Sequence, residues 1–336
     1  MTATSSPIVV LGAGSWGTAL AIQLMRNGEP VTLWGHDPDL ISSIRAKGIN
    51  ERYLPGVELP KGLQLESDLE TALKGMRDIL VVVPSHAFRS TLESIQTYLS
   101  TSSRLMWATK GLEPGSGKLL HEIAGECLDD KIPRAVISGP TFAREVAEGL
   151  PTAITVSSQS QKFAIDIAER LHSETFRAYT SEDVIGVEIG GAVKNVLAIA
   201  AGIADGLGFG ANTRSALITR GLAEIMRLGE ALGGQKDTFM GLAGLGDLVL
   251  TCTDNQSRNR RMGLALGHGS TVEEALESID QVVEGVQTAY EVYGLAQRKD
   301  VDMPITEQVY NVLYEGHSPR KAVYDLLNRE QKAEVN

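Results

Sequence analysis

Positive charge, cysteine and long apolar runs are all scarce in this chain of 336 residues. Acidic residues outnumber lysine plus arginine by 42 to 31, for a net charge of −11. A surface of that sign repels phosphodiester backbones and anionic bilayers, so neither nucleic acid nor a stable membrane contact is expected as a partner. Local basic clusters stand out the more against it. The two cysteines, Cys127 and Cys252, lie far apart and lack metal-ligand spacing. That excludes a disulfide framework and a zinc site and suits a reducing compartment. The longest apolar stretch, residues 196–204, is far short of a membrane span and is bracketed by Lys194 and Asp205. Residues 1–7 offer neither a basic nor an apolar leader segment, so a cytoplasmic location is expected.

What is present is a normal apolar fraction of 43% and a length that suggests two domains, each able to bury a core. The most informative segment is Ile8-Val9-Val10-Leu11-Gly12-Ala13-Gly14-Ser15-Trp16-Gly17. It reads as a buried strand that ends on G-x-G-x-x-G and runs straight into a helix. Gly12 permits the tight turn, Gly14 lets the backbone come close to a pyrophosphate, and Gly17 lets the helix pack closely on the strand. The free N–H groups and positive end of that helix would then face the phosphates. A second strand, 31–34, follows on schedule, so the motif predicts a bound dinucleotide.

Up to about residue 180, short β-like runs alternate with helical stretches. The predicted strands are 8–11, 31–34, 63–65, 79–83, 104–109, 135–138, 152–156 and 175–179; the helices include 15–27, 38–47, 86–99 and 117–128. Such alternation predicts an α/β Rossmann-like dinucleotide-binding domain, with a parallel sheet covered on both faces. The continuously apolar 79–83 is the kind of strand such a sheet buries. Thr180-Ser181-Glu182-Asp183 reads as a helix N-terminus, and everything after it as helix separated by glycine-rich turns. The division expected is 1–180 for the dinucleotide and 181–336 for an all-α substrate domain.

Four further stretches carry chemistry. Lys194 has Gly190, Gly191, Ala198, Ala201 and Gly202 on its helix face. That clearance suits a desolvated proton carrier beside a ligand, and equally a snorkelling lysine where glycines let helices pack closely. Lys110 follows a strand directly, at the carboxyl edge where ligands bind in this class, although an ordinary turn lysine would look alike. Asp247 and Thr251 share a face if their segment is helical. Ser257-Arg258-Asn259 supplies a hydroxyl, a guanidinium fork and an amide, the donors an anionic phosphate wants; with Arg260 and Arg261 adjoining, a solvated charge run is the alternative. Ser138-Gly139-Pro140-Thr141 bends at another strand end. His86 and the other histidines form neither a triad nor a metal set, and no metal is expected.

Taken together, these stretches resemble the NAD(P)-dependent glycerol-3-phosphate dehydrogenases of the bacterial type, across essentially the whole chain. The resemblance rests on residues 12–20, Thr109-Lys110-Gly111-Leu112-Glu113, residues 138–145, Gly191-Ala192-Val193-Lys194-Asn195-Val196, residues 241–248, Ser257-Arg258-Asn259-Arg260 and Val283-Glu284-Gly285-Val286. It implies reversible hydride transfer between dihydroxyacetone phosphate and sn-glycerol 3-phosphate, feeding phospholipid synthesis. By the same resemblance Lys194 is the proton acceptor, and Lys110, Gly139, Thr141, Asp247, Ser257, Arg258 and Asn259 contact substrate. Cofactor positions match Gly12, Gly14, Ser15, Trp16, Gly17, His36, Tyr53, Lys110, Ala143, Arg258, Val282 and Glu284. His36 would favour a 2′-phosphate and Asp37 oppose it; NADPH is the expected preference, with NADH also used. Rival readings are a 3-hydroxy-acid or sugar-acid dehydrogenase of the same plan, and a non-catalytic dinucleotide sensor. An exposed helical face would support a homodimer.

Overall fold

In the computed structural model, residues 6–279 and 281–330 are described. Residues 1–5 of the stretch read for a leader segment, residue 280 and the polar C-terminal tail from residue 331 lie outside them. Eight strands form one sheet: β1 (Ile8–Leu11), β2 (Val31–Trp34), β3 (Gln64–Glu66), β4 (Asp78–Val81), β5 (Arg104–Trp107), β6 (Arg134–Ser138), β7 (Thr152–Ser157) and β8 (Phe176–Ser181). Their order is β3-β2-β1-β4-β5-β6-β7-β8. The first six run parallel, with β1 between β2 and β4, so the strand order reverses beside the glycine turn. That reversal opens the crevice in which doubly wound sheets bind ligands.

Three expectations need correction. The sheet is not wholly parallel, because β7 runs antiparallel to β6 before β8 pairs parallel to β7. Thr180 and Ser181 also belong to β8 rather than to a helix start. The cap of the following helix is Asp183 alone, whose carboxylate accepts the Gly186 N–H at 2.9 Å. Strand β4 stops at Val81, two residues short of the expected end, and a helix begins at Ser85.

All four residues of β1 and all four of β4 are buried, as strands covered on both faces must be. One apolar layer holds Ile8, Val10, Leu33 and the first helix, Ser15–Arg26. The opposite layer holds Val9, Val81 and Trp107, with Phe88 and Ile123 from the helices Ser85–Ile95 and Leu120–Cys127. Val184, Val187 and Ala243 join that second layer, so the helical half is docked on the sheet through apolar surface. Each such fully buried side chain contributes roughly 1.5–3 kcal/mol.

The helical half is organised round one helix, Val184–Gly206, nearly all of it buried. By length and composition it could cross a membrane, yet here it is a core helix. Its glycines explain how other helices approach. A Cβ on Gly202 would stand 2.9 Å from Gly263 Cα, and one on Gly206 2.9 Å from Gly267 Cα. Helix Arg258–His268 therefore lies almost backbone to backbone against it.

Candidate active site

The glycine turn fits a dinucleotide on three counts. Gly12 has φ +124°, and a Cβ there would come within 2.5 Å of Val82 O. Among the described residues nothing stands within 4 Å of the place a Gly14 Cβ would occupy, so a phosphate can approach the backbone there. Gly14 caps the first helix without a side-chain bond, which leaves that helix's first N–H groups to an anion. Beside them Trp16 Nε1 is enclosed without a partner among the described residues. Gly17 lies so close to Gly12 that a side chain would strike its carbonyl.

His36 is exposed just past β2, and Asp37 begins the helix Pro38–Lys47. The Asp37 carboxylate accepts the N–H groups of Asp39 and Leu40 at 3.0 and 3.1 Å, so its first duty is to cap that helix. Tyr53 is half-buried in the loop that follows. Ala143 opens a short helix, Ala143–Glu148, packed on the sheet domain's core, whereas Val282 is exposed.

The catalytic candidates converge from distant parts of the chain. Lys110 projects past β5, and its Nζ donates to Asp247 Oδ2 at 2.6 Å and to Gly139 O at 3.2 Å. Lys194, buried on the long helix, donates to the other oxygen of Asp247 and to Thr251 Oγ1, the latter at 2.8 Å. Asp247 is fully buried and follows a π-helical turn, Leu242–Gly246, a device that often re-aims a residue at a functional site. Thr251 lies one turn on, its hydroxyl donating to Asp247 O at 2.6 Å. One carboxylate thus holds two ammonium groups. Burial draws Lys194 down to about 8 against the pull of Asp247, and the neighbouring Lys110 charge lowers it further. A lysine so placed can hold or release a proton near neutral pH.

Most of the small residues round Lys194 serve packing rather than a ligand. Gly190 abuts the Ala243 carbonyl, Gly202 the helix Arg258–His268, and Ala198 and Ala201 lie in the apolar core; Gly191 faces the site, with its Cβ position 2.8 Å from Ser138 Oγ and 3.7 Å from Lys110.

The basic cluster also divides. Ser257 caps its helix by accepting the Arg260 N–H at 3.2 Å. Arg260 turns inward to Asp205 at 2.6 Å and to the Cys252 carbonyl at 3.0 Å, so it is a structural cation and not part of an anion site. Asn259 donates to Asn195 Oδ1 at 2.9 Å and accepts the Gly285 N–H at 2.8 Å, leaving one amide hydrogen unspent. Burial lowers the Arg258 guanidinium, with Glu284 opposing, while burial raises Glu284 to about 7. Glu284 also accepts from Ser85 at 3.3 Å, across the seam to the sheet. Asn195 and Ser85 had no assigned role in the sequence; the Asn195–Asn259 bond joins the Lys194 helix to the arginine cluster. Thr141 Oγ1 donates to Gly139 O at 3.3 Å, beside the Lys110 contact. His86 is exposed outside this constellation, and among the described residues no group of His, Cys, Asp or Glu could hold a metal.

A Rossmann-like sheet whose carboxyl edge meets a buried lysine on a helical half defines a dinucleotide-dependent oxidoreductase. The family described as NAD-dependent glycerol-3-phosphate dehydrogenase matches residues 7–164 with its N-terminal part and 183–324 with its C-terminal part, and the chain belongs to that family. A glycerol-3-phosphate dehydrogenase (NAD(P)+) of Pseudoalteromonas translucida is 59% identical over 335 residues, covering 99% of this chain and all of the relative. The protein of that name from Photobacterium profundum is 58% identical, covering 97% of each chain. A crystal structure of glycerol-3-phosphate dehydrogenase from Coxiella burnetii superposes with a TM-score of 0.94 at 50% identity, over 97% of this chain and 100% of that one. The chain is thus an NAD(P)-dependent enzyme of the Rossmann-like, two-part plan.

Proposed function

We propose that this enzyme interconverts dihydroxyacetone phosphate and sn-glycerol 3-phosphate, with Lys194 carrying the proton. The observation that carries the reading is the pair of lysines on buried Asp247, a half-buried one at the sheet edge and a buried one on the long helix. When bound, the nicotinamide supplies the hydride to C2 of the ketone. Lys194 then gives its proton to the C2 oxygen and is left neutral; in the reverse direction it accepts that proton. A positioned acid–base group of this kind is worth roughly 10²–10⁴-fold. Lys110 stabilises the negative charge that grows on the same oxygen. Arg258, the Ser257 hydroxyl and the free N–H groups at the start of helix Arg258–His268 hold the substrate phosphate, with the remaining Asn259 hydrogen beside them. Gly139 and Thr141 stand beside Lys110 at the sheet edge and complete the substrate contacts. Holding that remote group orients the reacting carbon.

Further parts of the reading are a division into residues 1–180 and 181–336, a cytoplasmic location and a preference for NADPH. A supply of glycerol phosphate to phospholipid synthesis and a homodimer complete it. The glycine turn, His36 and Tyr53 support the cofactor assignment, with Ala143, Val282 and Glu284 as further cofactor positions and Lys110 and Arg258 where cofactor and substrate meet. The exposed Tyr290, Tyr314 and Tyr324 offer an aromatic face for a second copy, which sedimentation velocity tests. The activity is tested by loss of reduced-nicotinamide absorbance with dihydroxyacetone phosphate, in parallel with NADPH and NADH. Oxidation that depends on that substrate supports the reading. Oxidation only with phosphate-free keto acids would favour the hydroxy-acid rival, and binding without turnover the sensor.

A further inference from the structure

On the reading that NADPH is the preferred reductant, we infer that Arg52 is the guanidinium that grips the cofactor's 2′-phosphate and sets NADPH over NADH. The observations lie at the carboxyl end of β2, where a doubly wound sheet receives the adenosine ribose. An enzyme that selects NAD needs a free carboxylate there to accept the ribose hydroxyls. The acid in that place is Asp37, and it is already committed. One oxygen caps the helix Pro38–Lys47. The other faces Arg52 Nη1 at 3.8 Å, so its charge is offset toward the ribose site.

Arg52 is carried there by a loop tied to the glycine turn. Asn50, fully buried, donates to Ala13 O and to Thr18 Oγ1, both at 2.9 Å, and accepts the Tyr53 N–H at 3.3 Å. The Leu54 N–H closes the turn on Asn50 O at 2.7 Å, and the Leu54 side chain is buried in the core beneath. Arg52 therefore stands between two anchored residues, its guanidinium 5.3 Å from the centre of the Tyr53 ring. The 3.8 Å separation from Asp37 is longer than a hydrogen bond, and the side chain is 65% exposed, so its planar fork stays open to an incoming group. Such a fork matches a phosphate bidentately, where an ammonium offers only a point charge. Exposed His36 immediately precedes Asp37 and offers a second group to the same anion.

The test is equilibrium binding of NADPH and of NADH to the full-length protein, followed by nicotinamide fluorescence, for the wild type, Arg52→Ala, Arg52→Lys and Asp37→Asn. In Arg52→Ala the ratio of the NADPH to the NADH dissociation constant should rise about tenfold, the scale of one charge-assisted contact. Arg52→Lys should recover part of that rise. Asp37→Asn keeps a competent helix cap while removing the opposing charge, and should move the ratio toward NADPH. An Arg52→Ala ratio within about twofold of the wild type would overturn the role of Arg52 alone. A wild type that binds neither dinucleotide would overturn the cofactor reading beneath it.

Discussion

Asp78 and Asp247 are both fully buried, and each sits between two cations at opposite ends of the same sheet. Asp78 opens β4 at the amino edge, where it accepts from Arg104, from Arg170 at 2.6 Å and from the Ser6 hydroxyl at 2.7 Å. Burial alone would raise its carboxyl, yet the hydrogen bonds from Arg104 and Ser6, with the charges of both arginines, hold it below the ordinary range. Arg104 and Arg170 reach on to Asp166 and Glu29, so the network is closed by groups that never lose a proton. Asp247 differs in its partners. Lysine can give up its proton when desolvated, and Lys194 is brought down to about 8. Arginine around a buried carboxylate makes a clasp; lysine around one makes a proton carrier.

Exchanging the cations breaks that comparison most severely. Lys194→Met and Lys194→Arg should both lose turnover by on the order of 10²–10⁴-fold, the arginine because it holds its proton. NADPH binding, read by fluorescence, should survive in both; near-normal kcat in Lys194→Arg would remove the proton-carrier role. Next come the two carboxylates. Asp247→Asn should cut kcat on the order of 10²-fold by releasing both lysines. Asp78→Asn should instead cost about 3–5 kcal/mol in urea unfolding, with kcat of the folded enzyme little changed. Equal effects on stability and turnover at the two positions would erase the distinction. The smallest effect belongs to Arg258→Ala, which should raise KM for dihydroxyacetone phosphate about tenfold, more than it lowers kcat. An unchanged kcat/KM would move the phosphate elsewhere.

The centre of the sheet was legible in the sequence because strands such as β1 and β4 are short, apolar and continuously buried, a local signal. The reversal of β7 was not, since a strand buried against β6 shows the same apolar pattern in either direction. Ser181 looked like a cap because hydroxyls suit both a helix start and the last residue of a strand; only the Asp183–Gly186 bond decides it. In the site, the Asp247–Thr251 spacing announced a shared face, and the structure places them in one hydrogen-bonded turn. The meeting of Lys110 with Asp247 spans 137 positions, and no local pattern encodes it. The same holds for Arg260, whose charge in a basic run fits an anion site but whose partner, Asp205, lies 55 positions away. No local pattern marks Arg52 either, because its carboxylate neighbour Asp37 is brought beside it only when the loop folds back over the glycine turn.

The most direct test of the proton carrier is the pH dependence of kcat/KM in both directions, measured on one preparation. Reduction of the ketone needs Lys194 protonated, so its rate should fall as pH rises through about 8. Oxidation of sn-glycerol 3-phosphate needs Lys194 neutral, so its rate should rise through the same point. Mirror-image limbs meeting near pH 8 are the expected result. Profiles that stay level in both directions across that pH would contradict a titrating Lys194 at the centre of the chemistry.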